Sequence, residues 1–256
     1  MQRILHLLMS LIAGLWFATS PALAGSPDEV TGGACPGLPT NAQLQHFLQQ
    51  AASGQGISGS LGPNTAAGGL FQGERMWGAV VNREGRLCAF ITSTADPTQV
   101  WPGSQAIAKA KAFTANGFSL DDFVLSTARL YTFALPGHSL FGLNQSNAFN
   151  PLLLAPPGGT GGRGLIAGGI ITFGGGVPLY AGGKIVGGLG VSGDTACTDH
   201  EIAKRVRDLA GLNPPGGPLV DDIVYEPASI FAHPLCINTM QNGVPRSPDE
   251  VPLPLP

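Results

Sequence analysis

Residues 177–193 read Val-Pro-Leu-Tyr-Ala-Gly-Gly-Lys-Ile-Val-Gly-Gly-Leu-Gly-Val-Ser-Gly. Two apolar runs, Val177–Tyr180 and Lys184–Val191, flank the glycines of the Ala181–Gly183 segment. Glycine adopts the positive φ angles that tight turns require, so this arrangement is typical of a β-hairpin. The stretch therefore predicts two antiparallel strands in the second half of the chain.

The rest of the chain predicts a second hairpin and three helices. Short apolar runs over Met76–Val81 and Arg86–Thr92 are separated by a turn that ends in glycine, which indicates the other hairpin. Apolar residues recur at spacings of three and four over Asn41–Ser53 and over Ser104–Asn116, as in helices with one buried face. A last helix is predicted over Asp199–Leu209, with Asp199 near its N-cap.

This order of elements indicates an α/β (α+β) fold, with an antiparallel sheet of two hairpins flanked by helices. Residues 118–165 are irregular and rich in proline, glycine and aromatic residues. They predict a long loop with one short helix near Asp121–Leu130. Loops of that length are usually functional or cover a ligand.

The first 24 residues have the features of a secretory signal peptide. Arg3 precedes the apolar run Ile4–Phe17, and Ala22-Leu23-Ala24 supplies the small residues of a cleavage site before Gly25. We therefore expect a periplasmic or secreted protein.

The predicted domain organisation has three parts after the signal peptide. Residues 25–40 form an N-terminal arm, residues 41–210 form the folded domain, and residues 211–256 form a proline-rich C-terminal extension. After residue 24, no apolar stretch of about 18 residues lacks breakers, so no membrane span is expected in the mature chain. Charged residues make up 11% of the chain and its net charge is −3, which argues against nucleic acid as a partner.

The chain contains four cysteines, an even number that suggests disulfides in an exported protein. Of the three possible pairings we favour Cys35 with Cys236, which would join the two extensions. Cys88 and Cys197 are then either a second disulfide or buried thiols. A zinc site is less favoured, since no Cys-x-x-Cys pair is present.

Two blocks of sequence resemble the GlcG/HbpS-like family, also called DUF336 or haem-degrading. The first is Trp77-Gly-Ala-Val-Val-Asn-Arg-Glu-Gly85 together with the helix that starts at Ser104. The second comprises Gly175-Gly176-Val177-Pro178-Leu179, the strand 185–193, and Asp199-x-x-Ile202-Ala203. The resemblance implies a profilin-like antiparallel sheet, frequent assembly as a homo-oligomer, and haem or a similar tetrapyrrole as ligand.

Haem needs an apolar slot and usually an axial donor to its iron. The first choice is His46, on the first predicted helix, and the second is His138, in the long loop. We expect His200 to be exposed, and His233 lies in the tail. For each histidine, the competing interpretation is a surface or structural role.

Three further residues are candidates for binding an anionic group such as a haem propionate. Gly188-x-Gly190-x-x-Gly193 matches a dinucleotide fingerprint, but it follows a hairpin strand, so close helix–strand packing is the better interpretation. The backbone amides of Gly193 and Asp194 are then available to a carboxylate. Lys111 is either a partner for the same anion or a surface lysine whose ammonium reaches solvent.

No catalytic motif is recognisable, and the pairs Asp121-Asp122 and Asp221-Asp222 are interpreted as solvated. The sequence therefore predicts an exported protein that binds a small molecule, with haem as the leading candidate. Two alternatives remain open: an enzyme that degrades haem, and a non-catalytic sensory or structural partner of an envelope protein.

Overall fold

The computed structural model describes residues 35–153 and 163–246. The predicted signal peptide and most of the predicted arm lie outside these residues. Within these residues the chain forms three α-helices and four main strands, with a short two-stranded ribbon near residue 246. Their bounds are α1 Asn41–Ser53, β1 Trp77–Asn82, β2 Leu87–Thr92, α2 Ser104–Gly117, β3 Gly176–Ala181, β4 Lys184–Ser192, α3 Ala196–Leu209, β5 Met240–Gln241 and β6 Val244–Pro245.

The four main strands form one antiparallel sheet in the order β2-β1-β4-β3. Each predicted hairpin is present, and the two hairpins meet where β1 pairs with β4, from Trp77 opposite Ser192 to Asn82 opposite Gly187. The predicted α/β class and the antiparallel sheet of two hairpins are therefore confirmed. Among the described residues, no helix is long and apolar enough to cross a membrane.

The two faces of the sheet are covered by different helices, because successive side chains of a strand point to opposite faces. On β1, Ala79 and Val81 pack with the small residues of α2. Val80 points the other way, into a core formed with α1 and α3, where it joins Leu44 and Ile202. The domain thus has three layers, with α2 alone on one side.

Glycines in β4 allow α2 to lie with its backbone directly against the strand. A Cβ atom at Gly190 would overlap the carbonyl oxygen of Ala108, and one at Gly188 would overlap that of Ala112. This geometry explains the glycine motif of β4 as a packing device, as the sequence indicated.

Two predicted elements differ from those observed. Helix α3 begins at Ala196 rather than at Asp199, because the Thr195 side chain accepts a hydrogen bond from the Thr198 amide and caps the helix earlier. Within Asp121–Leu130, the observed helical structure is a 3-10 turn over Thr127–Leu130.

The favoured disulfide between Cys35 and Cys236 is wrong. Cys35 is bonded to Cys88 of β2, and Cys197 of α3 is bonded to Cys236. The first pair lies at the core beneath α1, whereas the second belongs to a separate cluster at the start of α3. The sequence could not show that the two extensions run to different sides of the domain.

Residues 211–246 pack against α3 through buried ion pairs. Arg207 contacts Asp221 at 2.7 Å, and Lys204 contacts Asp222 at 2.6 Å. The prediction that Asp221 and Asp222 are solvated is therefore wrong, although Asp121 and Asp122 are exposed as expected. His200 is also buried rather than exposed, because the C-terminal segment covers this side of α3.

Adding one methyl group where α2 meets β4 tests the packing. We expect Gly190→Ala to lower the free energy of unfolding by about 1–3 kcal/mol, since its Cβ has no space. Gly117→Ala, at the end of α2, meets nothing within 4 Å and is the control. Urea unfolding of both variants measures the difference, and equal midpoints would contradict this account of the packing.

Peptide mapping of the non-reduced protein tests the disulfides. We expect linked peptides that contain Cys35 with Cys88 and Cys197 with Cys236. The matched control is the same digest after reduction, in which both linked peptides disappear. A peptide that links Cys35 to Cys236 would contradict the two observed disulfides and support the pairing favoured from the sequence.

Candidate functional site

A pocket of about 320 Å³ lies between the outer face of α2 and the long irregular segment that precedes β3. We call it the α2 pocket. Its walls are mainly apolar, with three side-chain amides. The lining residues are Ala106, Ile107, Ala110, Asn144, Gln145, Asn147, Ala148, Phe149, Gly169, Ile170 and Ile171.

Backbone contacts join the two stretches of the long segment that line the α2 pocket. The Asn150 amide donates to the Ala167 carbonyl at 3.1 Å, and Phe149 forms a β-bridge with Gly168. Gly169 has φ 76°, and a Cβ there would lie 2.9 Å from that of Ala110. Glycine at this position therefore lets the segment approach α2, and the predicted long loop does border a cavity.

The lining of the α2 pocket suits an apolar molecule with a few polar substituents. Ligand sites commonly measure 300–1,000 Å³ and combine apolar walls with a small number of polar groups. Ile107, Phe149 and Ile170 supply apolar surface, and the amides of Asn144 and Asn147 supply donors and acceptors. None of the residues that line this pocket is charged, and none is His, Cys, Met or Tyr.

The structure does not bring the two candidate axial histidines together. His46 is exposed on α1, across the sheet from α2. His138 is half-buried on the same long segment as the wall residues Asn144–Phe149. Of the two, only His138 belongs to a segment that lines the α2 pocket.

The three candidate anion-binding residues lie around one turn, the link between β4 and α3. The Lys111 ammonium is fully buried and lies 2.6 Å from an Asp199 carboxylate oxygen. The other oxygen of Asp199 accepts the amides of Gly193 and Asp194, at 3.0 and 2.9 Å. Asp199 thus occupies the groups that the sequence suggested were available to a ligand.

Burial dominates the electrostatics of the Lys111–Asp199 pair. It raises the pKa of Asp199 to about 6, opposed by the positive charge of Lys111 and by the amide of Asp194. It also lowers the pKa of Lys111, against the attraction of Asp199. At neutral pH the ionised carboxylate therefore ties α2 to the start of α3.

The Gly193 turn also borders a small open cleft of about 200 Å³, here called the Gly193 cleft. Phe71 and Trp101 meet edge to face at 5.4 Å, and the Arg75 guanidinium lies 5.0 Å from the centre of the Phe71 ring. The Asp194 carboxylate holds this loop by accepting the Phe71 amide at 2.8 Å. The cleft offers aromatic surface and one cation.

The sequence did not indicate the lining of the α2 pocket or the environment of His233. The available signal was the recurrence of apolar residues such as Phe149 and Ile171 in an irregular segment rich in glycine and proline. His233 is buried; its ring is 4.8 Å from that of Tyr131, and its Nε2 accepts the Gly174 amide at 3.3 Å. Nothing in the tail sequence indicated this packing.

The buried His233 predicts a specific pH dependence of stability. Burial lowers its pKa to about 4, with a smaller contribution from nearby positive groups, whereas an unfolded histidine has a pKa near 6.5. Between these values the unfolded chain binds a proton that the folded chain does not, so stability falls as the pH is lowered. The loss reaches about 3 kcal/mol at pH 4.

Chemical unfolding between pH 7 and pH 4 measures this contribution. We expect His233→Gln to flatten the decline, while His46→Gln, on the exposed face of α1, leaves it unchanged. Asp199 contributes in the opposite direction, because its raised pKa favours proton uptake by the folded chain, but it does so equally in all three proteins. Parallel curves for the wild type and His233→Gln would contradict the prediction.

Comparisons with known proteins address the fold and the family. The model of the family described as haem degrading protein HbpS-like matches residues 71–208, more than half of the chain. No curated protein matches the chain.

Three solved structures are similar at low identity. Klebsiella pneumoniae protein ORFY, of family model DUF336, is 20% identical over 66% of this chain and 86% of its own, with a TM-score of 0.44. A PduOC:heme complex is 22% identical over 67% and 92%, with a TM-score of 0.44, and HbpS is 22% identical over 64% and 84%, with a TM-score of 0.35. The family match that spans both hairpins, α2 and most of α3 shows that the chain belongs to the HbpS-like family.

Proposed function

We propose that the protein binds haem or a closely related tetrapyrrole in the α2 pocket. The observation that carries this proposal is the apolar slot between Ile107, Phe149 and Ile171, bordered by side-chain amides. Membership of a family described as haem-degrading makes haem the first ligand to test.

The residues of the α2 pocket fit the ring and the propionates of haem better than its iron. Aliphatic and aromatic side chains cover the faces of a macrocycle, and Asn144, Gln145 and Asn147 are suitable partners for carboxylates. No side chain that lines the pocket is a usual axial ligand. We therefore propose His138, on the same segment, as the axial ligand, and regard His46 as the weaker candidate because α1 lies across the sheet.

The Gly193 cleft is the second candidate position for the same ligand. Phe71 and Trp101 offer aromatic surface to a macrocycle, and Arg75 offers a cation to a propionate. Of the three residues that the sequence suggested for ligand binding, Gly193 lines this cleft, whereas Lys111 and Asp194 lie behind it in the hydrogen-bonded turn.

We also propose that the protein acts outside the cytoplasm. Two disulfides among the described residues fit an oxidising compartment. The predicted signal peptide and the homo-oligomer implied by the family resemblance remain predictions of the sequence.

Haemin titration of the mature chain tests the proposed site. We expect a saturable Soret shift with about one haem per chain. Ile107→Trp fills the α2 pocket from a half-buried position and should weaken binding at least tenfold. Ala42→Trp, on the exposed face of α1, adds the same indole elsewhere and should have no effect.

Other outcomes of the titration have definite meanings. Loss of binding in Trp101→Ala, with normal binding in Ile107→Trp, would move the site to the Gly193 cleft. His138→Ala should shift the Soret band, whereas His46→Ala should not. Absence of any specific shift in the wild type would contradict haem binding.

Turnover distinguishes a binding protein from a haem-degrading enzyme. With ascorbate and oxygen, the proposed binding function predicts that bound haem is recovered intact by extraction. Steady loss of the Soret band, faster than for free haemin and abolished by Ile107→Trp, would instead support the enzyme.

A further inference from the structure

We propose that Cys197, His233 and Cys236 form a binding site for Zn²⁺ or a similar thiophilic cation that opens when the disulfide between the two cysteines is reduced. The proposal is independent of haem binding, since none of these residues lines the α2 pocket or the Gly193 cleft. We call the three residues the Cys–His cluster.

The donor atoms of the Cys–His cluster already converge. One ligand atom from each residue lies within 4.8 Å of the other two. Zinc bonds of about 2.0–2.3 Å place neighbouring ligand atoms roughly 3–4 Å apart. Opening the disulfide and moving the donors by about 1–2 Å therefore converts the cluster into a coordination site.

His233 has the hydrogen bonding of a metal ligand. The Gly174 amide can only donate, so Nε2 is the unprotonated ring nitrogen and Nδ1–H donates to the Pro234 carbonyl, at 2.8 Å. Histidines that bind metals commonly donate their second nitrogen to a carbonyl or carboxylate in this way. A cation bound at Nε2 would replace the Gly174 amide as the partner of the ring lone pair.

The surroundings of the sulfur atoms suit the negative charge that they carry when a cation is bound. Cys197 is the second residue of α3, and its backbone amide donates to the sulfur of Cys236 at 3.2 Å. An amide donor and the start of a helix both stabilise negative charge on sulfur. Two thiolates and one neutral imidazole form a soft donor set that suits zinc or monovalent copper.

The reaction that opens the site is a two-electron reduction. A phosphine attacks one sulfur and breaks the sulfur–sulfur bond, and one water molecule then supplies the oxygen of the phosphine oxide and the two hydrogens of the resulting thiols. Binding of the cation then releases those two protons. Reduction of the Cys35–Cys88 disulfide is not expected to create a second metal site. Among residues 35–153 and 163–246, only the Cys–His cluster brings three possible metal ligands together.

Cobalt titration of the mature chain tests the proposal. The protein is reduced with a phosphine under anaerobic conditions, freed of reductant and titrated with Co²⁺. We expect one Co²⁺ per chain, with thiolate-to-cobalt charge-transfer absorption that Zn²⁺ abolishes by displacement. The oxidised protein should show no such absorption.

Matched variants assign the absorption to residues. The double variant Cys35→Ser with Cys88→Ser retains the cluster and should keep the band, whereas Cys197→Ser with Cys236→Ser should lose it. His233→Gln should weaken Co²⁺ binding at least tenfold. A band that survives loss of Cys197 and Cys236, or an unchanged affinity in His233→Gln, overturns the proposal.

Folding provides a second readout. Reduction of the cluster removes a crosslink between α3 and the C-terminal segment, so we expect the melting temperature to fall and Zn²⁺ to restore part of it. A reduced chain that neither develops the cobalt band nor regains melting temperature with Zn²⁺ overturns the proposal, whether or not it is folded.

Discussion

The rest of the structure depends on one constraint, which is that Gly188 and Gly190 have no Cβ atom. They let the α2 backbone lie directly on β4, closer than any other residue would allow. At this distance the Lys111 ammonium reaches the Val191 carbonyl at 2.9 Å and the Asp199 carboxylate at 2.6 Å. Asp199 in turn accepts the amides of Gly193 and Asp194, which lie just before α3, so one packing contact aligns α2 and α3 with the sheet.

The same contact leaves the outer face of α2 to line the α2 pocket. The inner face of α2 packs against the sheet. Its outer residues Ile107 and Ala110 face the long segment instead. Glycine at 169 draws that segment inward, so the helix and the segment enclose an apolar slot. On the opposite side of the domain, buried ion pairs fasten the C-terminal segment to α3, because burial without partners would be far too costly for Asp221 and Arg207.

Local patterns predicted the elements well because hairpins and helices follow from residue spacing and from glycine turns. The boundaries of α1 and the partners within each hairpin needed no further information. The disulfides, the burial of His200 and the lining of the α2 pocket depend on the path of residues 118–175 and 211–246, which have no regular period. The sequence offered Lys111 as a partner for a ligand anion or as a surface lysine; it is instead buried against Asp199, and only tertiary geometry could show this.

The central claim is that the α2 pocket binds a tetrapyrrole, and amide chemical-shift mapping with diamagnetic gallium protoporphyrin tests it most directly. The account predicts saturable shifts confined to Ile107, Ala110 and their neighbours at residues 144–149 and 169–171. Shifts centred instead on Phe71, Trp101 and Gly193, or no saturable shifts at all, would contradict it.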